Sequence, residues 1–166
     1  MFDFKPEAGT SSQELYRQLV EAADALTADE PDAVANMANV ASLLWEFLPD
    51  LNWAGFYRMG PAKKGDKAEL VLGPFVGRPA RIRIPVGAGV CGAAAGTGET
   101  QLVADVHAFP GHIACDAASQ SELVVPVKRN GQVIAVIDLD SPSTNRFDEA
   151  DAAGIEKLSA LLSDRI

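Results

Sequence analysis

The chain carries two cysteines, Cys91 and Cys115. Cys115 lies in GHIACDAASQSELVVPV, residues 111–127, with Asp116 directly after it, His112 three residues before it and Glu122 seven residues on. A cysteine reacts as its thiolate, so its chemistry depends on exposure and on the charges around it. The small and polar residues about Cys115 read as a loop, where a thiol is more reachable than on a strand. The plainer reading is an incidental small residue, and Asp116 alone would raise the thiol pKa unless something offsets it. Cys91, in GVCGAAAG, reads either as small buried filling at a helix start or as a group with redox chemistry.

Carboxylates form the second chemical set. Glu122 opens SELVVPVKR, and Asp138 and Asp140 close QVIAVIDLD. Asn130-Gly131 between these runs suits a tight type I′ turn. Folding there pairs residues whose numbers sum to about 261, which places Asp138 near Leu123, Asp140 near Ser121 and Glu122 between the two. Asp138 and Asp140, two apart, share a face. Acids beside an apolar run carry a penalty if buried without partners. They read either as a solvated sheet end or as a site for a cation such as an amino group. In the second case one carboxylic acid can be kept protonated by its neighbours' charge and donate a hydrogen bond.

His107 and His112 flank Phe109-Pro110-Gly111. With the cysteines they give C-x15-H-x4-H-x2-C, which matches no usual zinc spacing, so no metal or cofactor is expected. Trp53 and Tyr57 in NWAGFYRM share a strand face and Phe56 takes the other. They pack a core or line a pocket for a small thioether. GAGVCG lacks both GxGxxG spacing and a Lys-Ser/Thr ending, so it is not a phosphate loop.

The elements that must hold these groups follow from periodicity. Residues 11–28 read as a helix with capping-box spacing between Ser11 and Glu14. Residues 31–48 read as a second helix, Pro31 in its first turn and Val34, Met37, Ala38, Ala41, Leu44, Trp45 and Leu48 as its apolar stripe. NWAGFYRM and ELVLGPF read as a hairpin about a polar turn, and RIRIPV as a strand. A short helix with Cys91, the strand QLVADV, a long loop over 107–121 and the 121–140 hairpin follow. Asp148 caps a last helix through Ile155, Leu158 and Leu162. The predicted class is α+β: an antiparallel sheet with terminal helices on one face and loops closing a pocket on the other.

With 166 residues and 48% hydrophobic content, the chain is long and apolar enough to bury a core. A formal net charge of −9 argues against nucleic acid or an anionic membrane as partner. No apolar run approaches the roughly 20 residues of a membrane span. MFDFKPEAGTSSQE lacks a signal peptide's basic-then-apolar order. Two cysteines are too few for a disulfide scaffold. The expectation is a soluble, cytoplasmic protein.

NWAGFY, ELVLGPFVGRPA, RIPVGAGVCG, DVHAFPGHIACDAASQSE and the strand ending DLDS together resemble the free methionine-R-sulfoxide reductases, enzymes built on a GAF domain. The likeness runs from about residue 12 to the C-terminus, and GVCG with GHIACDAAS-x-SE is specific to that family among GAF domains. It implies a single GAF domain over 1–166 behind a short tail, 1–10, and a GAF-like antiparallel sheet flanked by helices. It implies a homodimer that reduces the R epimer of free methionine sulfoxide with electrons from thioredoxin. It places the nucleophile at Cys115, substrate-binding and acid roles at Glu122, Asp138 and Asp140, and Trp53, beside Tyr57, against the substrate's methyl end.

One departure stands out. The family commonly has a cysteine in a PAC segment before RIP, often the resolving thiol. Here the segment reads PAR, with Arg81, which leaves Cys91 as the internal candidate to resolve Cys115. Arg81 is in turn a candidate to offset Asp116. A GAF module that binds a small ligand without turnover is the alternative.

Overall fold

The computed structural model describes residues 4–65, 67–111 and 118–166. Among the described residues, four α-helices, α1 (Ser12–Thr27), α2 (Ala33–Phe47), α3 (Gly89–Thr97) and α4 (Glu149–Leu162), accompany six strands. The strands are β1 (Trp53–Pro61), β2 (Ala68–Gly77), β3 (Arg83–Pro85), β4 (Gln101–Val103), β5 (Ser121–Arg129) and β6 (Gln132–Ser141). They form one sheet in the order β3-β2-β1-β6-β5-β4, antiparallel at every pairing. The α+β architecture is the one expected from the sequence.

Helix ends follow their capping chemistry. The Ser11 side chain accepts from the Glu14 amide, and Asp148 and Asp151 form a reciprocal capping box at α4. At α2 the cap is Asp32, whose side chain accepts from the Ala35 amide, so Pro31 lies outside the helix and not in its first turn. The apolar stripe of α2 is also rotated from the expected one. Val34, Ala38 and Trp45 are exposed, while Val40, Leu43 and Phe47 are buried beside Met37, Ala41, Leu44 and Leu48. The helix packs against α1 as well as the sheet, and that second neighbour selects the buried side.

The sheet divides the interior in two. One face, with Ala54, Phe56, Leu123, Val125, Ile137 and Leu139, is covered by α1, α2 and α4. The other, with Trp53, Tyr57, Leu70, Val124 and Val136, packs against Val90, Cys91 and Ala94 of α3. Alternation along each strand sends successive side chains to opposite layers, so Trp53 and Tyr57 part from Phe56 as predicted. No described helix is long and apolar enough to cross a membrane.

The β5–β6 hairpin turns at Asn130 and Gly131, both at positive φ (52° and 78°), as a type I′ connection requires. Its register differs from the predicted one. Arg129 pairs with Gln132 and Lys128 with Val133, sums of 261, but a bulge follows and Val127 pairs with Ala135. From there the sum is 262, and Glu122 lies opposite Asp140.

Candidate functional site

The bulge decides which layer Glu122 enters. Directly opposed residues in an antiparallel pair share a face, and a one-residue slip sends a side chain to the other side. At the uninterrupted register Glu122 would oppose Leu139 and point with it into the helix-covered core. At the observed register Trp53, Asp140 and Glu122 form one row across β1, β6 and β5 on the α3 side. Gly55, Asp138 and Val124 form the next row, and Tyr57 and Val136 lie beyond.

Cys91 descends onto these rows from α3. The small residues of GVCGAAAGT let the helix approach closely: a Cβ on Gly92 would come within 2.5 Å of the Pro85 carbonyl oxygen. Cys91 is buried at 3% exposure, with Glu122 at 6%, Asp138 at 1% and Asp140 at 3%, which rules out the solvated sheet end. The Cys91 Sγ donates to Glu122 Oε1 at 3.9 Å. Among the described residues, Cys91, Glu122 and Asp138 each offer an atom within 4.8 Å of the others.

Burial and neighbouring charge set the protonation of this group. The Glu122 carboxyl is held well above the usual carboxylate range, first by burial and then by the charges of Asp138 and Asp140. Asp138 is pushed up to about 6 by burial, while hydrogen bonds from Cys91 and Glu122 hold it back. Their mutual bond raises Glu122 and lowers Asp138, so of the two Glu122 is biased toward donating and Asp138 toward accepting. A carboxyl biased toward its neutral form therefore stands beside a thiol and two further buried acids.

Aromatic rings build the adjoining wall. Trp53 stacks on Tyr57 at 5.8 Å between centroids and on Phe75 at 5.1 Å. Phe75 escaped the sequence reading, although Gly55 marked its place. A Cβ on Gly55 would stand 2.3 Å from the Phe75 Cβ, so the ring's strand approaches there only over glycine. Trp53 Nε1 donates to the Arg78 carbonyl at 3.2 Å and the Tyr57 hydroxyl to the Arg81 carbonyl at 2.9 Å. These two bonds pin the β2–β3 connection against the aromatic wall. Arg81 takes part through its backbone and its side chain is exposed.

Cys115, His112 and Asp116 lie outside the described residues, and His107 is exposed on a 3-10 turn, its amide donating to Asp105. The chain that leaves the undescribed stretch is fixed near the acids. The Asn52 side chain donates to Ser119 Oγ at 3.1 Å, and the Gln120 amide to the Ser141 carbonyl at 2.8 Å. The structure thus brings Cys91, Glu122, Asp138, Asp140, Trp53 and Tyr57 onto one layer.

The family model described as GAF domain matches residues 9–166. A protein of Escherichia coli K12 named free methionine-R-sulfoxide reductase is 47% identical over 149 residues, which cover 90% of this chain and 87% of that one. One of the same name from Saccharomyces cerevisiae is 40% identical over 158 residues, 92% of this chain and 86% of that one. The X-ray structure of free methionine-R-sulfoxide reductase from Neisseria meningitidis in complex with its substrate superposes with a TM-score of 0.90. It is 42% identical, with 99% of this chain and 95% of that one covered.

Proposed function

Because the chain belongs to the GAF-domain free methionine-R-sulfoxide reductases, we propose that it reduces free L-methionine (R)-S-oxide to L-methionine through Cys115. The observation that carries the reading is the buried carboxyl of Glu122, held above the usual carboxylate range, beside a thiol and two further acids, next to the Trp53 ring. A sulfoxide needs three things from a protein site: a sulfur nucleophile, a proton for the departing oxygen and a hold on the amino acid.

Cys115, as thiolate, attacks the sulfoxide sulfur. Glu122 gives its proton to the oxygen, a step general acids accelerate by about 10²–10⁴-fold. The oxygen passes to the thiol, so one thiol and one sulfoxide give one sulfide and one sulfenic acid. Asp138 and Asp140 attract the substrate's ammonium, and Trp53 and Tyr57 bound the methyl end. Cys91 then condenses with the sulfenic acid to a disulfide, releasing water. Thioredoxin's dithiol reduces that disulfide and is itself oxidised. Cys91 is nearly inaccessible, which favours attack of the reductant on the Cys115 sulfur. We read the chain as one GAF domain over 1–166 with a short tail, 1–10, acting as a cytoplasmic homodimer.

Methionine release from the separated R and S sulfoxides, with thioredoxin as reductant, tests the assignment. Wild type should turn over the R epimer and Cys115→Ser should not. Equal rates for the two proteins would remove Cys115 as nucleophile. No turnover by wild type would favour the ligand-binding module.

A further inference from the structure

We propose that Cys91, Glu122 and Asp138 form a binding site for a thiophilic divalent cation of the zinc class. The ligands come from α3, β5 and β6, a spacing no linear metal motif describes. Their donor atoms lie within 4.8 Å of one another, with Cys91 Sγ and Glu122 Oε1 at 3.9 Å. Tetrahedral zinc, with bonds of about 2.3 Å to sulfur and about 2.1 Å to oxygen, holds such atoms about 3.4–3.6 Å apart. Closing the gap takes a contraction of about 1 Å, within the reach of side-chain torsions.

A second observation points to a cation. Asp138 is 1% exposed, rises from the same β6 face that meets α3, and one of its two oxygens, Oδ1, has no hydrogen-bond partner among the described residues. A buried carboxylate oxygen left unbonded is costly, and a bound cation removes the cost. The donor set selects the ion. One thiolate with two carboxylates suits zinc, cobalt or cadmium, and disfavours magnesium and calcium, which take oxygen ligands. Three protein ligands leave a fourth position open, with Asp140 next along the same strand face. The site needs Cys91 reduced, because a disulfide sulfur has no thiolate charge to offer.

This inference does not rest on the reductase reading, and its test uses no turnover. The reduced, metal-stripped full-length chain is titrated with Co²⁺ or Cd²⁺, following the thiolate-to-metal charge-transfer absorption, then with Zn²⁺ in competition. A saturable band at one ion per chain is expected, lost in Cys91→Ser and kept in Cys115→Ser. Asp138→Asn should weaken binding by at least the about 10–100-fold that loss of an outer partner costs. Thermal melts establish that each variant folds, and if Cys91→Ser does not, Asp138→Asn carries the test. No saturable band, a band that survives Cys91→Ser, or one that vanishes in Cys115→Ser would each overturn the site. Activity in chelator-treated buffer is read separately, so the two proposals fail independently.

Discussion

Glu122 stands directly opposite Asp140 across the β5–β6 pair, and both carboxyls enter the layer beneath α3. A single bulge near Val127–Lys128 produces this meeting by shifting the register one residue. The same shift keeps Leu123 and Leu139 opposed in the helix-covered core. An acid site and a hydrocarbon core thus share one hairpin, on its two faces.

Stability should depend on pH through Asp138. Its carboxyl moves from 3.8 to about 6 on folding, so the folded chain binds the proton more tightly than the unfolded one. The stabilisation is full below the ordinary value and is lost as pH rises through about 6. The melting temperature of wild type minus that of Asp138→Asn should therefore fall between pH about 4 and 7. The change corresponds to about 2–3 kcal/mol. Melts across that range check it, and a constant difference would contradict it. Glu122, raised by burial first, acts in the same direction.

Glu122→Gln keeps the shape and removes the proton that the proposed mechanism transfers. The R-sulfoxide turnover number should drop about 10²–10⁴-fold, with a smaller change in KM. Steady-state rates check this. Removing a buried titratable carboxyl should also leave stability at pH 8 unchanged or higher, so a parallel collapse of the melt would mark a structural role instead.

On the proposed reading, Asp140→Asn removes a charge partner for the substrate's ammonium. KM for the sulfoxide should rise about tenfold or more, in line with a hydrogen bond to a charged group. Isothermal titration with substrate and with a des-amino analogue checks the cause. An analogue that binds wild type as tightly as the native substrate would remove this role from Asp140.

Gly154 is fixed by contact, not by backbone conformation. A Cβ there would lie 2.1 Å from Tyr16 Cγ, and the Tyr16 hydroxyl donates to Asp151 Oδ1 at 2.6 Å in a buried bond. Gly154→Ala must push the ring off that bond and part α1 from α4, costing about 3 kcal/mol or more. Tyr16→Phe, which keeps the ring, should cost about 1–3 kcal/mol. Denaturant unfolding separates the two, and equal stability of Gly154→Ala and wild type would show that the helices can part at no cost.

Much of the scaffold could be read from the chain because its signals are local. Ser11 with Glu14, Asp148 before the last helix, and Asn130-Gly131 each act within a few residues, through capping or turn geometry. The alternation in NWAGFYRM likewise put Trp53 and Tyr57 on one face, because a strand's pleat has period two. The likeness of GVCG and GHIACDAAS-x-SE to one enzyme family was legible for the same reason: it is a property of contiguous residues.

What tertiary structure alone decided is the meeting of distant groups. The α2 stripe turned toward α1, because a helix between two neighbours buries the side both can reach. Phe75 entered the aromatic wall through a contact across β1 and β2 that Gly55 only hinted at. Cys91 met Glu122 and Asp138 because small residues let α3 settle onto the sheet. And one extra residue in a hairpin, invisible to any period-two count, set whether Glu122 would face an acid or a leucine, since register belongs to a pair of strands and not to either sequence alone.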